Sequence, residues 1–401
     1  MKVDAESIVI DRLKSSSAPG IFSLAAVGST GNAGSIEVLS TGDISLVNGS
    51  GISSSTSSTG TAGSVTIQTA SLRVDGAGKY GDTSKISAAA ANGSSGQTGN
   101  VSVTANHITL ANGGQITITN QASVGNPSAL QPTSITVTAP RIFVNDSPDA
   151  ITSQSSGNVA ASNIAIHASQ TLRLDNGGIT TTANQGNGGS IEINKTDDIV
   201  KTGLIWLENA QIASSVNGDV NGNGGNIRID ADALILKTGF IQANTKAKLA
   251  SGGEVNINVM NLLASGGPPF VADAEIQTFR PGIFGINVIQ AAAPDGVNGA
   301  LNISAVPLFD ISSSLFGLDT GQIDTPVAGR LCQNSSGSSL VAVGRGGLPP
   351  TAVDFISPGQ LDRLGLDFSV TAPMPGRTAA LALALAPYST ATLLPPCQRA
   401  P

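Results

Sequence analysis

The stretch Gly99-Asn100-Val101-Ser102-Val103-Thr104-Ala105-Asn106-His107-Ile108-Thr109-Leu110-Ala111-Asn112-Gly113-Gly114-Gln115-Ile116 decides the fold. Val101 and Val103 alternate with polar residues, and so do Ile108 and Leu110. A period of two marks a strand with one side buried. Asn112-Gly113 then supplies a bend, because Asn and Gly tolerate left-handed backbone. Ile116 opens a third short apolar site. The stretch therefore predicts strand, turn, strand, turn and short strand.

The same unit recurs on both sides of it. The first pair reads Gly34-Ser35-Ile36-Glu37-Val38, Gly63-Ser64-Val65-Thr66-Ile67, Ile135/Val137, Ile164/Ile166, Gly189-Ser190-Ile191-Glu192-Ile193, Gly225-Asn226-Ile227-Arg228-Ile229, Gly253-Glu254-Val255-Asn256-Ile257 and Gly299-Ala300-Leu301-Asn302-Ile303. With the copy at Val101 that makes nine, at steps of 29, 36, 34, 29, 27, 36, 28 and 46 residues. A second pair follows as Ile44/Leu46, Leu72/Val74, Ile142/Val144, Leu172/Leu174, Ile205/Leu207 and Leu234/Leu236. The longer gap before Ile205 implies an insertion. The third site is Ile52, Ile86, Ile116, Ile151, Ile179, Ile212 and Ile241. Repeats of this length mean a solenoid or an array.

No segment holds apolar residues at helical spacing over three turns, so crossover helices are not expected. Three short strands per repeat without a helix predict an all-β, single-stranded parallel β-helix of about nine coils. Coils about 4.8 Å apart would span roughly 43 Å. The composition suits narrow coils, with 40% apolar residues, 3% aromatic, 12% charged and 48 Gly. Ile, Val, Leu and Ala fill the interior, and Ser and Thr coat the outside. Asn48-Gly49, Asn112-Gly113 and Asn176-Gly177 fall at one place in three repeats, with Asn145 and Asn209 beside or at it in two more. Structural turns, with stacked Asn ladders, are the expected role.

Residues 1–30 read as a lead-in or incomplete first coil, 31–304 as the β-helix, and 305–401 as a cap and a mostly irregular proline-rich tail. Of 28 Asn, only Asn334 lies beyond Asn302, while 15 of 20 Pro occur from Pro268 onward. The 46-residue step holds Pro268, Pro269, Pro281 and Pro294, and is expected to carry a loop or cap over the end of the stack. Ser357-Pro358 opens a possible short helix to Leu364. Thr378–Pro387 is apolar but too short to cross a membrane. Asp4, Glu6 and Asp11 stand where a secretory signal would be apolar.

A net charge of −7 and thinly spread basic residues argue against nucleic-acid binding. Two His and two Cys cannot build a four-ligand zinc site alone. Cys332 and Cys397 could pair or remain free thiols. The adjacent acids Asp197-Asp198 have no His near them in sequence, and His107 and His167 fall on different coils as outward or turn residues. Asn217–Gly225 faintly resembles a calcium loop, but it occurs once and lacks the closing Glu, so a plain loop is preferred. Trp206 points outward by alternation, either covered by a neighbouring loop or free to stack on a sugar. No residue is assigned to catalysis, a cofactor or a metal.

The Asn-Gly-Gly-Ser-Ile and Asn-Gly-Gly-Asn-Ile repeats at 187–191 and 223–227, followed by Cys332 and Gly344-Arg345-Gly346-Gly347-Leu348-Pro349-Pro350, resemble the C-terminal region of cyanobacterial filamentous-haemagglutinin-like exoproteins. The resemblance covers about residues 20–355. It implies a right-handed β-helix, an outer-membrane pore partner of a two-partner secretion system, and an adhesive role at the cell surface or outside the cell, toward a host, cell-surface or polysaccharide ligand. The family's signal peptide and secretion domain are missing here, so the chain reads as the C-terminal part of a longer exoprotein or a truncated gene. The expected function is a non-catalytic rod. The alternative is a carbohydrate-active β-helix enzyme of lyase or hydrolase type. A groove on the longest sheet with two or more carboxylates and a Lys or Arg within about 6 Å would favour the enzyme, and a Ser/Thr/Asn surface would favour the rod.

Overall fold

A computed structural model describes residues 1–306, apart from 13–16, 77–81, 195–200, 219–220, 266–268, 272–274 and 283–284. Asp197-Asp198, Cys332, Cys397, the segment at 344–350, the helix start at 357, the stretch 378–387 and nearly all of the expected tail lie outside the described residues.

The fold is an all-β parallel β-helix. Every strand pairing among the described residues is parallel, and they fall into three faces. The first face stacks Lys2–Ala5, Ile36–Ser40, Val65–Gln68, Val101–Thr104, Ser134–Thr138, Asn163–His167, Ile191–Ile193, the starts of Ile227–Thr245 and Val255–Ala264, and Leu301–Val306. The second begins with Ile8–Asp11, Asp43–Val47, Ser71–Asp75 and His107–Ala111, and the third with Gly20–Ala25, Gly51–Thr56, Lys85–Ala90 and Gln115–Asn120. Further along, Arg141–Ser155, Thr171–Ala183 and Thr202–Val216 each run through the corner and serve both of these faces. Among the described residues the helical element is one 3-10 turn, Pro127–Ala129.

The register is the one the alternation implied. Ile36, Val65, Val101, Ile135, Ile164, Ile191, Ile227, Val255 and Leu301 are successive Cα partners. So are Ile44, Leu72, Ile108, Ile142, Leu172, Ile205 and Leu234. Inward residues at these positions pack into one continuous core. A slip of one residue would turn every apolar side chain outward, and this fixes the pairing.

The turns divide their labour. Asn48, Asn112, Asp146, Asn176 and Asn209 have φ between 46° and 60°, the left-handed region. Asp146, not Asn145, holds the turn in its coil. The side chains link the coils: Asn48 Nδ2 donates to Asp11 Oδ1 (2.7 Å), Asn112 to Asp75 (3.0 Å), Asn176 to Asp146 (2.8 Å), and Asn209 to Asn176. The glycine opening each first-face strand has another role. Gly63, Gly99, Gly225 and Gly253 have no left-handed φ. A Cβ there would instead collide with the backbone of the preceding coil. These glycines let the coils approach.

The first 25 residues, expected as a lead-in or an incomplete first coil, contribute one strand to each face. The long step does contain an edge cover. Phe270–Val271 pairs with Val288–Gln290 at the end of the third face. Gln290 Nε2 donates to the Glu275 carbonyl (2.6 Å) and Gln242 Nε2 to that of Gln277 (2.7 Å), which ties the loop down.

Candidate functional site

The outward faces are where chemistry could occur, because the interior is filled. Strands on neighbouring coils bring residues about 30 positions apart into contact, and outward residues form columns along the stack.

The second face carries the most charge. One column runs Arg73, Thr109, Phe143, Arg173, Trp206 and Ile235. The next runs Asp75, Ala111, Asn145, Asp175, Glu208 and Lys237. The Arg173 guanidinium carbon lies 4.7 Å from the centre of the Trp206 ring. Its Nη2 is 3.6 Å from Asp175 and 3.5 Å from Glu208. Lys237 Nζ reaches Glu208 at 2.6 Å. Two carboxylates and two cations thus gather beside one aromatic ring. The set meets the distance criterion for an enzyme, but each carboxylate has a cation against it, so charge is balanced within the set.

Trp206 points outward as alternation required, and is half-buried. The guanidinium of the preceding coil covers one face of the ring, which opposes sugar stacking on that face. Sequence reasoning missed this contact, although the signal was there. Aligning Leu172 with Ile205 also aligns Arg173 with Trp206.

The two histidines stay apart in the fold. His107 Nε2 lies 3.1 Å from Thr109 Oγ1, and its ring is 5.2 Å from Phe143 on the next coil. Burial lowers the His107 pKa below its ordinary value, and the nearby Arg141 guanidinium lowers it further. His167 sits on the first face beside Thr138, with Nδ1 buried and unpartnered.

The loop that resembled a calcium site is built into the stack over its described part. Asn221 Oδ1 accepts from Gly186 N–H (3.3 Å) and Asn223 Oδ1 from Ser251 N–H (2.9 Å). Both oxygens thus serve coil-to-coil bonds. Among the described residues, no group of three or more His, Cys, Asp or Glu is placed to hold a metal.

The third face is different in kind. One rank is Ser53, Ser87, Thr117, Thr152 and Thr180, of which Ser87 and Thr117 are buried, and the other is Ser55, Ala89, Thr119, Gln154, Thr182 and Ser215. Hydroxyls bond between coils, Ser87 to Ser53 at 2.9 Å and Thr152 to Thr180 at 2.8 Å. On the first face, a shallow depression at the last coils is lined by Arg228, Asp230, Asn256, Asn258, Asn302 and Ser304. Arg228 and Asp230 form an ion pair there (2.8 Å), and Asn258 donates to Asp230 (2.8 Å).

The chain matches no family model, no curated protein and no solved structure.

Proposed function

We propose that the chain is a non-catalytic β-helical rod with an adhesive role, secreted or held at a cell surface. The observation that carries this is the third face, a sheet with two ranks of mostly hydroxyl and amide side chains repeated coil after coil and Lys85 as a charged residue at its margin. Such a surface offers many weak, identical polar contacts to an extended ligand, and multivalency raises avidity without any strong single site. The exoprotein resemblance supports the same reading. It brings the outer-membrane secretion pore as partner and a polysaccharide or cell surface as target.

The test is retention of the purified chain on insoluble polysaccharides and on whole cells, with the supernatant assayed for cleavage products. Retention without turnover is expected. Absence of retention on every surface sinks the proposal.

The second reading, a carbohydrate-active enzyme, is favoured by the Asp175, Glu208, Arg173 and Lys237 set. Release of unsaturated or reducing ends that disappears in Glu208→Gln would establish it in place of the rod.

A further inference from the structure

The turns hold a reactive pairing that the fold treats unevenly. The sequence has nine Asn-Gly pairs. Such a pair can close on itself, because glycine has no side chain to keep its nitrogen away from the preceding Asn amide. In five pairs that nitrogen is already engaged. The N–H of Gly49 donates to Ser84 Oγ (3.0 Å), that of Gly113 to the Asp146 carbonyl (2.8 Å), that of Gly188 to the Asn223 carbonyl (2.9 Å), that of Gly224 to the Ser251 carbonyl (2.9 Å) and that of Gly299 to the Ala291 carbonyl (2.7 Å). The Asn side chains of these pairs are held too. Asn48 and Asn112 donate to acids on the preceding coil, and Asn187, Asn223 and Asn298 accept from backbone N–H groups. Gly177 lies inside a paired strand, and Asn217-Gly218 and Asn221-Gly222 flank 219–220, outside the described residues. Asn92-Gly93 differs. Both residues are exposed, in a turn that the Ser94 N–H closes on the Ala91 carbonyl (3.1 Å). Gly93 has φ 81° and nothing within 4 Å of its Cβ position. Among the described residues, neither the Gly93 N–H nor the Asn92 amide has a hydrogen-bond partner.

We propose that Asn92 is a site of spontaneous deamidation, with water as the co-reactant, and that the stacked turns are protected from it. The Gly93 nitrogen gives up its proton and attacks Asn92 Cγ. The N–Cγ bond forms, the Cγ–Nδ2 bond breaks, and ammonia leaves. Water then opens the cyclic imide at either carbonyl, which yields aspartate or isoaspartate. No atom is oxidised or reduced. At the bonded pairs the same closure must first break hydrogen bonds, and a buried group left without its partner is costly. The product is tolerated differently as well. A carboxylate at position 92 stands in water. At position 112 it would replace the donor to Asp75 with a second negative charge. The chain therefore ages at a residue that links no coils. This inference does not depend on the adhesive reading.

Peptide mapping of the full chain tests it, after incubation in warm, mildly alkaline buffer, with aspartate and isoaspartate counted at each Asn-Gly pair. In the folded chain, Asn92 is expected to convert about tenfold faster, or more, than Asn48, Asn112, Asn187, Asn223 and Asn298, a difference of about 1.4 kcal/mol in barrier. In concentrated urea these rates should draw together, since every one of these Asn precedes glycine. Ser84→Ala, which removes the acceptor for the Gly49 N–H, should speed conversion at Asn48 several-fold and leave Asn92 unchanged. An Asn92 no faster than the bonded pairs overturns the proposal, as does an Asn48 indifferent to Ser84→Ala. So does a lead of Asn92 that persists undiminished in urea, which would trace it to local sequence instead of the fold.

Discussion

The first coil and the middle coils share one register and differ in what that register yields. Ile8 and Ile10 pair with Ile44 and Leu46, which pair with Leu72 and Val74. The sequence pattern is the same throughout, yet Leu46 and Leu72 are fully buried and Ile8 and Ile10 are not. Burial in a β-helix is therefore a property of position in the stack. A coil with neighbours on both sides is closed above and below, and a coil with one neighbour is half open. Stability becomes a sum of coil-to-coil interfaces.

The largest test of that comparison is a pair of core truncations. Leu172→Ala, in a middle coil, should cost about 3 kcal/mol, since the cavity is closed by Leu174 and by the partners Ile142 and Ile205. Ile10→Ala should cost about 1 kcal/mol or less, because much of that side chain already faces water. Urea melts followed by circular dichroism measure both. Equal losses would mean that the first coil is closed by something beyond its one neighbour.

The glycines sharpen the comparison next. Ala at Gly225 would press a methyl group into the Gly189 carbonyl and the Ser214 hydroxyl. A loss of about 2 kcal/mol is expected, within the usual range for overpacking. Gly31 has open space around its Cβ position and no left-handed φ. Gly31→Ala should leave the melt within about 0.5 kcal/mol.

These positions also show what was legible in the sequence. The alternation placed nine first-face copies in register, since period-two pairs admit only one pairing that buries the apolar side. The strand at Lys2–Ala5 was not legible, because it has no Gly-polar-apolar opening and a single inward Val3. The role of the motif glycines Gly63, Gly99, Gly225 and Gly253 was not legible. Close approach of coils leaves no local signal, and only stacking reveals it. The Phe270–Val271 cover was foreseen as some cap in the 46-residue step, but two residues carry too little pattern to be read as a strand. The Arg173–Trp206 contact was readable from the alignment of repeats. The Asp175 and Glu208 ion pairs needed it as well, with side-chain reach added.

The turns give a smaller effect. Asn112 is exposed, has φ 51° and bonds Asp75 on the preceding coil. Asn112→Ala should cost about 1–2 kcal/mol, mainly the left-handed backbone penalty. Thr238 occupies the equivalent place one coil beyond Asn209, with φ 58°. A β-branched residue is strained there. Its hydroxyl accepts from Gly285 N–H (3.0 Å) in the long loop, which offsets part of that strain. Thr238→Asn should therefore change the melt by less than Asn112→Ala does. A larger change would show that the bond to the loop outweighs the turn.

The smallest expected effect lies outside the core altogether. His107 has its pKa lowered by burial and then by Arg141, its Cα partner on the next coil. A lowered pKa means that the unfolded chain takes up the proton more readily than the folded one. This contribution to stability is full above the unfolded value of about 6.5. It declines as pH falls through that value and levels off below the folded one. The melting temperature should therefore drop slightly more in the native chain than in His107→Gln between about pH 7 and pH 5. Identical slopes would show that the ring is as free as in the unfolded chain. The outside of a middle coil would then impose no more order on a side chain than the open first coil does.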